Sequence, residues 1–153
     1  VIHHAVAYAH SNCVPERESM AKQIALVVPV HAYGRCSGGN TATRMGNIGD
    51  TWTSNAKRFR GYAFVLAAEH RHTPGYQTEK PFVAAAAGAV PIYSGDHDLS
   101  TFMNPDRILW WNKSTPELIK TLMHSNHVRS LPAVNQSNLV SRAQRIIPLL
   151  MAL

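Results

Sequence analysis

The stretch YAFVLAAEHRHTPGYQTEKPFVAAAAGAVPIYSG at positions 62–95 decides the fold. The apolar run at 62–68 predicts a buried strand, and the run at 90–93 predicts the strand that follows. Between them, 78–87 has the composition of a helix, and Gly88 is a plausible helix stop. A strand, a helix and a further strand in this order are typical of a parallel sheet with helices packed on its faces.

The same alternation continues on both sides of this stretch. Upstream, we predict a strand at 5–9, a helix that begins at Pro15 or Glu16, and a strand at 28–33. The long segment 36–51 is rich in Gly, Ser, Asn and Thr and predicts a polar loop. The remaining predicted elements are a basic helical turn at 56–60, a small helical turn at 99–102, a fifth strand at 107–110, a helix at 115–124 and a terminal helix at 138–153 broken at Pro148.

Composition limits the protein to a few classes. The chain has 153 residues, of which 45% are hydrophobic and 16% charged, as in one globular domain rather than a disordered or disulfide-dense chain. Lys and Arg exceed Asp and Glu by 15 to 9, a net charge of +6. This surplus suits a polyanion, and charge alone leaves nucleic acid, an anionic membrane and a sugar nucleotide open. Since the first residue is Val1, we interpret the chain as a piece of a longer protein.

The residues just after each strand are the candidates for a binding site, because ligands of open α/β sheets lie at the carboxyl ends of the strands. Glu79 and Lys80 begin a predicted helix, and Arg17 lies near the start of another. Helix starts and fixed cations suit phosphate, so Arg17 and Lys80 are candidate ligands of a diphosphate. The alternative is that these charges are solvated surface groups.

Several ordered motifs resemble one family. The strand 62–70, the segment Gly75-Tyr-Gln-Thr-Glu-Lys and the strand within 87–95 resemble the signature block of the α-1,3-fucosyltransferases. Upstream, 11–18 (SNCVPERE) and 30–36 (VHAYGRC) are similar to further family segments, and 102–111 matches loosely. The resemblance extends over about 11–122, in the family's order.

This resemblance implies a GT-B glycosyltransferase, which has two Rossmann-like domains. Residues 1–153 would be a single donor-binding domain, the C-terminal half, without the N-terminal acceptor domain and its catalytic base. The donor would be GDP-fucose and the acceptor a GlcNAc or glucose hydroxyl of a glycan. The reaction would be an inverting displacement that requires no metal or other cofactor, because Arg and Lys supply positive charge. A membrane-anchored eukaryotic parent would place the domain in the Golgi lumen.

The resemblance also implies roles for individual residues. Arg17 and Lys80 would hold the diphosphate and stabilise the departing GDP, Glu79 would contact guanosine or fucose, and Tyr76 would lie near the nucleotide. The full predicted set of substrate-binding residues is Arg17, Glu69, His70, Tyr76, Thr78, Glu79 and Lys80. The sequence departs from the family pattern at His31, Ala68, His70 and Gln77. His70 replaces an Asn, so we expect donor affinity to depend on pH.

The two cysteines follow the first and second strands, which we expect to be neighbours. Because adjacent strands lie about 4.8 Å apart, a Cys13–Cys36 disulfide is possible and would fit a secretory lumen. Free thiols are the alternative. A zinc site with His70 and His72 is less compatible with the scattered ligand positions, and we predict no metal.

Two other functional classes stay open on sequence grounds. The cluster Lys57-Arg-Phe-Arg60 interleaves an aromatic residue with basic ones, as nucleic-acid surfaces do. No ribonucleoprotein, KH or zinc-finger signature accompanies it, so we expect no nucleic-acid partner. The third class is a catalytically silent sugar-nucleotide-binding domain.

Overall fold

The computed structural model describes residues 3–125 and 127–133, and the terminal helix predicted at 138–153 lies outside them. Within these residues the strands are β1 (His3–His10), β2 (Val30–Gly34), β3 (Thr43–Gly46), β4 (Tyr62–Leu66), β5 (Val90–Tyr93) and β6 (Leu109–Trp110). They form one sheet in the order β3-β2-β1-β4-β5-β6, and every pairing is parallel. The central strands are therefore β1 and β4.

Helices connect the strands and cover both faces of the sheet. They are α1 (Pro15–Ala25), α2 (Trp52–Phe59), α3 (Lys80–Ala86), α4 (Thr115–Leu122) and α5 (His127–Ser130), with 3₁₀ turns at His97–Thr101 and Pro105–Arg107. In the described part of the chain, no helix has the length and apolar character needed to cross a membrane.

Alternation along the strands divides the core into two layers. In β1, Val6 and Tyr8 pack with Met20 and Ile24 of α1 on one face of the sheet. The intervening Ala5 and Ala7 face the other side, where they pack with residues of α2 and α3. Successive strand side chains point to opposite faces, so a strand buried on both sides needs apolar residues throughout, as in 62–66. This two-layer arrangement confirms the predicted α/β fold, a Rossmann-like parallel sheet with flanking helices.

The predicted polar loop at 36–51 was wrong in part, because it contains the edge strand β3. All four residues of β3 are exposed, so the segment lacks the apolar alternation that predicts a half-buried strand. Its backbone pairs with β2 all the same. As a consequence, Leu109–Trp110 forms the sixth strand rather than the fifth, and it is shorter than the predicted 107–110.

The basic helical turn predicted at 56–60 is also longer than expected. The helix begins at Trp52, because Thr51 and Ser54 form a capping box: the Ser54 amide donates to Thr51 Oγ1 at 3.2 Å, and the Thr51 amide donates to Ser54 Oγ at 3.1 Å. The other helices agree with prediction to within a few residues, and α5 was not predicted.

One glycine determines how the first two strands end. Gly34 has φ +87°, and a Cβ atom there would lie 2.7 Å from the carbonyl oxygen of His10. Only glycine therefore permits the close approach of the two strand ends. The chain then turns so that the Cys36 amide donates to that same carbonyl at 3.1 Å. This turn brings Cys36 to the end of β1.

Candidate functional site

A cavity of about 640 Å³ opens at the carboxyl ends of β1 and β4, the edge at which the strand pattern predicts a ligand. Six of the predicted substrate-binding residues line it: Arg17, His70, Tyr76, Thr78, Glu79 and Lys80. The seventh, Glu69, is buried directly behind this wall rather than in it. Residues separated by more than sixty positions in sequence thus share one cavity.

Glu69 holds two of the cavity residues in place. Its carboxylate accepts hydrogen bonds from the Thr78 amide at 2.9 Å and from Thr78 Oγ1 at 2.8 Å. Lys80 Nζ lies 3.3 Å from Glu69 Oε2 and donates to Thr78 Oγ1 at 2.7 Å. The Glu69 side chain is completely buried, while the Lys80 side chain is 21% exposed. Glu69 is buried behind the cavity wall and therefore orients the Lys80 ammonium. The ammonium itself remains accessible from the cavity.

Arg17 supplies the second cation, from the first turn of α1. The residue is only 2% exposed, and its guanidinium donates to the carbonyl oxygens of Ala68, at 3.4 Å, and Asn12. These contacts orient the planar guanidinium group at the end of β1. Its Nε has no hydrogen-bond partner among the described residues. Burial lowers the pKa of Arg17, and the nearby Tyr8, Glu69 and Glu18 oppose that shift. A buried cation with an unused donor suits an anionic ligand.

His10, the last residue of β1, completes the cation side of the cavity. Its Nδ1 lies 3.1 Å from Arg17 Nη1, and because a guanidinium only donates, Nδ1 is the acceptor. Burial, followed by the charges of Arg17 and Lys80, lowers the pKa of His10 to about 3, against a small opposing effect of the Leu66 backbone. The imidazole is thus neutral at physiological pH and orients Arg17 without adding a third positive charge.

His70 and Tyr76 form the rim of the cavity next to Lys80. His70 Nδ1 lies 3.0 Å from the Tyr76 hydroxyl, and the rings meet edge to face with centroids 5.1 Å apart. Each ring therefore restrains the other. His70 lies in the cavity wall, and its predicted effect on the pH dependence of donor affinity stays a prediction. Glu79, the residue before α3, is exposed and makes no capping hydrogen bond, so its carboxylate is available to a ligand.

One part of the cavity wall could not be predicted from the sequence. It comes from the loop that precedes α2 and from the start of that helix: Gly49, Asp50, Thr51, Trp52 and Asn55. Asn55 Oδ1 accepts from the Gly49 amide at 2.8 Å, and its Nδ2 donates to the Gly49 carbonyl at 3.3 Å, so the loop is pinned to the helix. Trp52 is 60% exposed beside this loop. The signal that could have found this wall is an apolar Trp directly after a capping threonine.

The structure joins Cys13 and Cys36 in a disulfide, with their Cα atoms 5.1 Å apart. The bond ties the turn after β1 to the turn after β2. Both turns adjoin the segment that carries Arg17. Because both thiols are consumed, the zinc site considered with His70 and His72 would lack its cysteine ligands.

The basic cluster at 57–60 does not form the aromatic surface that a nucleic-acid module uses. Lys57 and Arg60 are exposed, but Phe59 between them is only 5% exposed and packs in the core under α2. No ring in this cluster is thus presented for stacking on bases. The cluster is explained by the solvated face of an amphipathic helix.

The fold matches those of known sugar transferases. A crystal structure of an α1,3-fucosyltransferase with GDP gives a TM-score of 0.66 at 22% identity, over 81% of this chain and 36% of that one. A crystal structure with GDP-fucose gives a TM-score of 0.64 at the same identity and coverage. These likenesses confirm the predicted fold class, a parallel sheet with flanking helices of the GT-B type.

Residues 3–124 match the family described as glycosyltransferase family 10 (fucosyltransferase), C-terminal. The chain belongs to this family, as its motifs imply. Two curated relatives agree. One is an α-(1,4)-fucosyltransferase of Arabidopsis thaliana, 31% identical over 68% of this chain and 29% of the relative. The other is GDP-fucose protein O-fucosyltransferase 3 of Xenopus tropicalis, 26% identical over 76% of this chain and 26% of the relative. The chain thus spans less than a third of each relative.

Proposed function

We propose that this chain is the donor-binding half of a fucosyltransferase and binds GDP-fucose through its diphosphate. The observation that carries the proposal is that Arg17 and Lys80, from two different helices, line one cavity at the carboxyl edge of the sheet. Family membership supports the proposal, and structural relatives have been crystallised with GDP and with GDP-fucose. The anionic diphosphate would lie against the Arg17 guanidinium and the accessible Lys80 ammonium.

The proposed reaction is an inverting displacement at the sugar. An acceptor hydroxyl attacks the anomeric carbon of fucose, the bond from that carbon to the diphosphate oxygen breaks, and GDP leaves with the bonding electron pair. Negative charge therefore grows on the diphosphate, where Arg17 and Lys80 are already fixed by the contacts described above. We propose that these two cations suffice and that no metal or other cofactor takes part. A general base from a part of the protein outside this chain would accept the hydroxyl proton.

The remaining cavity walls suit the rest of the donor. The exposed indole of Trp52, at the start of α2, offers a flat apolar surface at the cavity for the guanine ring. We assign Glu79 to a hydroxyl of the ribose or fucose, because its carboxylate is exposed at the cavity and makes no capping bond. Tyr76 and His70 would border the nucleotide.

The acceptor and compartment belong to the proposal as well. We propose a GlcNAc or glucose unit of a glycan as acceptor, an α-1,3 linkage on the strength of the motifs, and the Golgi lumen as the compartment, which the disulfide favours. Linkage analysis of the product by NMR would distinguish α-1,3 transfer from the α-1,4 transfer and the protein O-fucosylation named for the two curated relatives.

The direct test is fucose transfer by the full-length protein that contains this chain. With GDP-fucose and a type 2 lactosamine acceptor, we expect turnover, and we expect Lys80→Ala to reduce it by about tenfold to a hundredfold, the loss of one charge-assisted phosphate contact. Lys120→Ala, which removes an exposed lysine of α4, is the matched control and should leave turnover unchanged. Equal rates for Lys80→Ala and wild type would contradict the proposal.

The chain by itself should bind the donor without transferring it, since base and positioning together account for many kcal/mol of barrier lowering. Robust turnover by residues 1–153 alone would show that the base lies within them. Donor binding by the full-length protein without turnover on any glycan acceptor would instead identify a silent sugar-nucleotide-binding domain.

A further inference from the structure

We propose that Asn112 is an N-glycosylation site. Asn112, Lys113 and Ser114 form the acceptor pattern Asn-x-Ser with x other than proline. All three residues are exposed, in the turn between β6 and α4. Glycosylation requires that the acceptor pattern lie in an accessible surface turn, and the turn at 112–114 meets this requirement. This site has no part in the cavity: its modification rests on the proposed luminal compartment and not on donor binding.

The geometry of the turn presents the amide nitrogen that would carry the sugar. Asn112 Oδ1 accepts a hydrogen bond from the Ser114 amide at 2.8 Å, which closes an Asx turn across the acceptor pattern. Asn112 Nδ2 makes a long contact of 3.4 Å with the Trp110 carbonyl. A substituted amide nitrogen keeps one N–H group, so this contact can persist after modification. The Asn112 side-chain oxygen is therefore held by the Ser114 amide, while the side-chain nitrogen remains available for attachment of the sugar.

The hydroxyl of the pattern is free of a structural role. Ser114 precedes α4 but makes no side-chain capping hydrogen bond. The turn is held instead by Thr115, whose Oγ1 accepts from the Asn112 amide at 2.8 Å. Replacing the Ser114 hydroxyl thus removes the acceptor pattern without removing a contact that defines the turn.

Two further observations favour modification at this place. The Cys13–Cys36 disulfide is typical of a protein that matures in an oxidising lumen, where glycan transfer also occurs. Asn112 follows β6, two strands from β4, and adjacent strands are about 4.8 Å apart, so the attachment point lies roughly 10 Å to the side of the end of β4.

The covalent step is a transfer from a lipid-diphosphate-linked oligosaccharide. A bond forms between Asn112 Nδ2 and the anomeric carbon of the first sugar, and the bond from that carbon to the diphosphate oxygen breaks. Nδ2 loses one proton, and the lipid diphosphate leaves with the electron pair.

The test is peptide mass spectrometry of the full-length protein recovered from the secretory pathway of a eukaryotic cell. Digestion with peptide-N-glycosidase in heavy-oxygen water converts a glycosylated Asn to labelled Asp. A second Asn-x-Ser pattern at 135–137 is removed by Asn135→Gln, and in that background the difference in gel mobility between proteins with and without Asn112→Gln reports the glycan at position 112. Non-reduced peptides in the same digest show whether Cys13 and Cys36 are linked, which identifies material that has passed through the oxidising lumen.

We expect labelled Asp at position 112. In the Asn135→Gln background, adding Asn112→Gln or Ser114→Ala should remove the mass of one glycan on the gel. Ser114→Ala should keep the disulfide and the thermal unfolding midpoint of the unmodified protein. Unmodified Asn112 in material with the disulfide formed would overturn the proposal, and so would labelled Asp at position 112 in Ser114→Ala.

Discussion

Lys80 and Glu69 form an ion pair at the back of the cavity, with Nζ 3.3 Å from Oε2. The carboxylate is completely buried and also attracts the Arg17 guanidinium, so one buried negative charge interacts with both cations. Because a buried carboxylate is costly unless it is paired, the three groups depend on one another.

The first prediction concerns Glu69 itself. Glu69→Ala should lower the free energy of unfolding by about 3 kcal/mol, because the Thr78 amide and hydroxyl lose their acceptor and Lys80 loses its partner. Denaturant unfolding measures the change. The exposed Glu117 offers a matched control, and Glu117→Ala should stay within about 0.5 kcal/mol of wild type. Equal effects of the two substitutions would show that the buried pair is not stabilising.

Arg17 should not tolerate replacement by lysine. The guanidinium donates to the Ala68 and Asn12 carbonyls at once, a fork that a single ammonium cannot reproduce. We expect Arg17→Lys to weaken GDP binding about tenfold although the charge is retained. Isothermal titration calorimetry measures the affinity, and wild-type affinity in the lysine variant would mean that charge alone matters at this position.

His10 should make stability fall in acid. Its pKa is lowered to about 3 in the folded protein, chiefly by burial, and is near 6.5 when the chain is unfolded. Below pH 6.5 the unfolded state therefore binds more protons, and stability declines as pH falls toward 3. Between pH 7 and pH 5 the loss should be about 2 kcal/mol.

The measurement is the free energy of unfolding as a function of pH for wild type and His10→Asn. The variant keeps a side-chain acceptor for Arg17 but does not titrate, so its stability should change less between pH 7 and pH 5. His127→Asn, at an exposed position of α5, is the control and should follow wild type. Parallel curves for wild type and His10→Asn would show that the imidazole is not buried as described.

The disulfide should stabilise the fold by constraining the unfolded chain. Cys13 and Cys36 are 23 positions apart, and closing a loop of that size contributes about 3 kcal/mol in the chain-entropy account. The double variant Cys13→Ser/Cys36→Ser should lose about that much in denaturant unfolding. A reductant should lower the stability of wild type but not of the double variant, and an unaffected wild type would contradict the pairing.

The central strands and helices could be predicted because their signals are local. The run at 62–66 is apolar at every position, and Pro15 marks a helix start where Met20 and Ile24 follow at helical spacing. Both segments reappear as β4 and α1. The edge strand β3 could not be predicted in this way, since its four exposed residues carry no apolar pattern and only the partner strand defines it.

The candidate site also has one part that could be predicted from local sequence signals and one part that depends on tertiary contacts. Arg17, Lys80 and their neighbours lie in motifs that resemble the family, and their place at strand ends follows from the sheet. The part played by Glu69 could not be inferred, because its contact with Lys80 depends on how the segment 70–79 folds back on the end of β4. The part of the cavity wall formed by Trp52 and Asn55 depends on the course of the loop before α2, for which the sequence offered only a polar composition.

The measurement that tests the account most directly is a calorimetric titration of GDP into this chain and into Lys80→Ala, with Lys120→Ala as control. We predict that wild type and Lys120→Ala bind GDP with equal affinity, and that Lys80→Ala binds about tenfold to a hundredfold more weakly while still unfolding cooperatively on heating. Equal affinity in wild type and Lys80→Ala, or no GDP binding by the wild-type chain, would contradict the assignment of this cavity to the donor diphosphate.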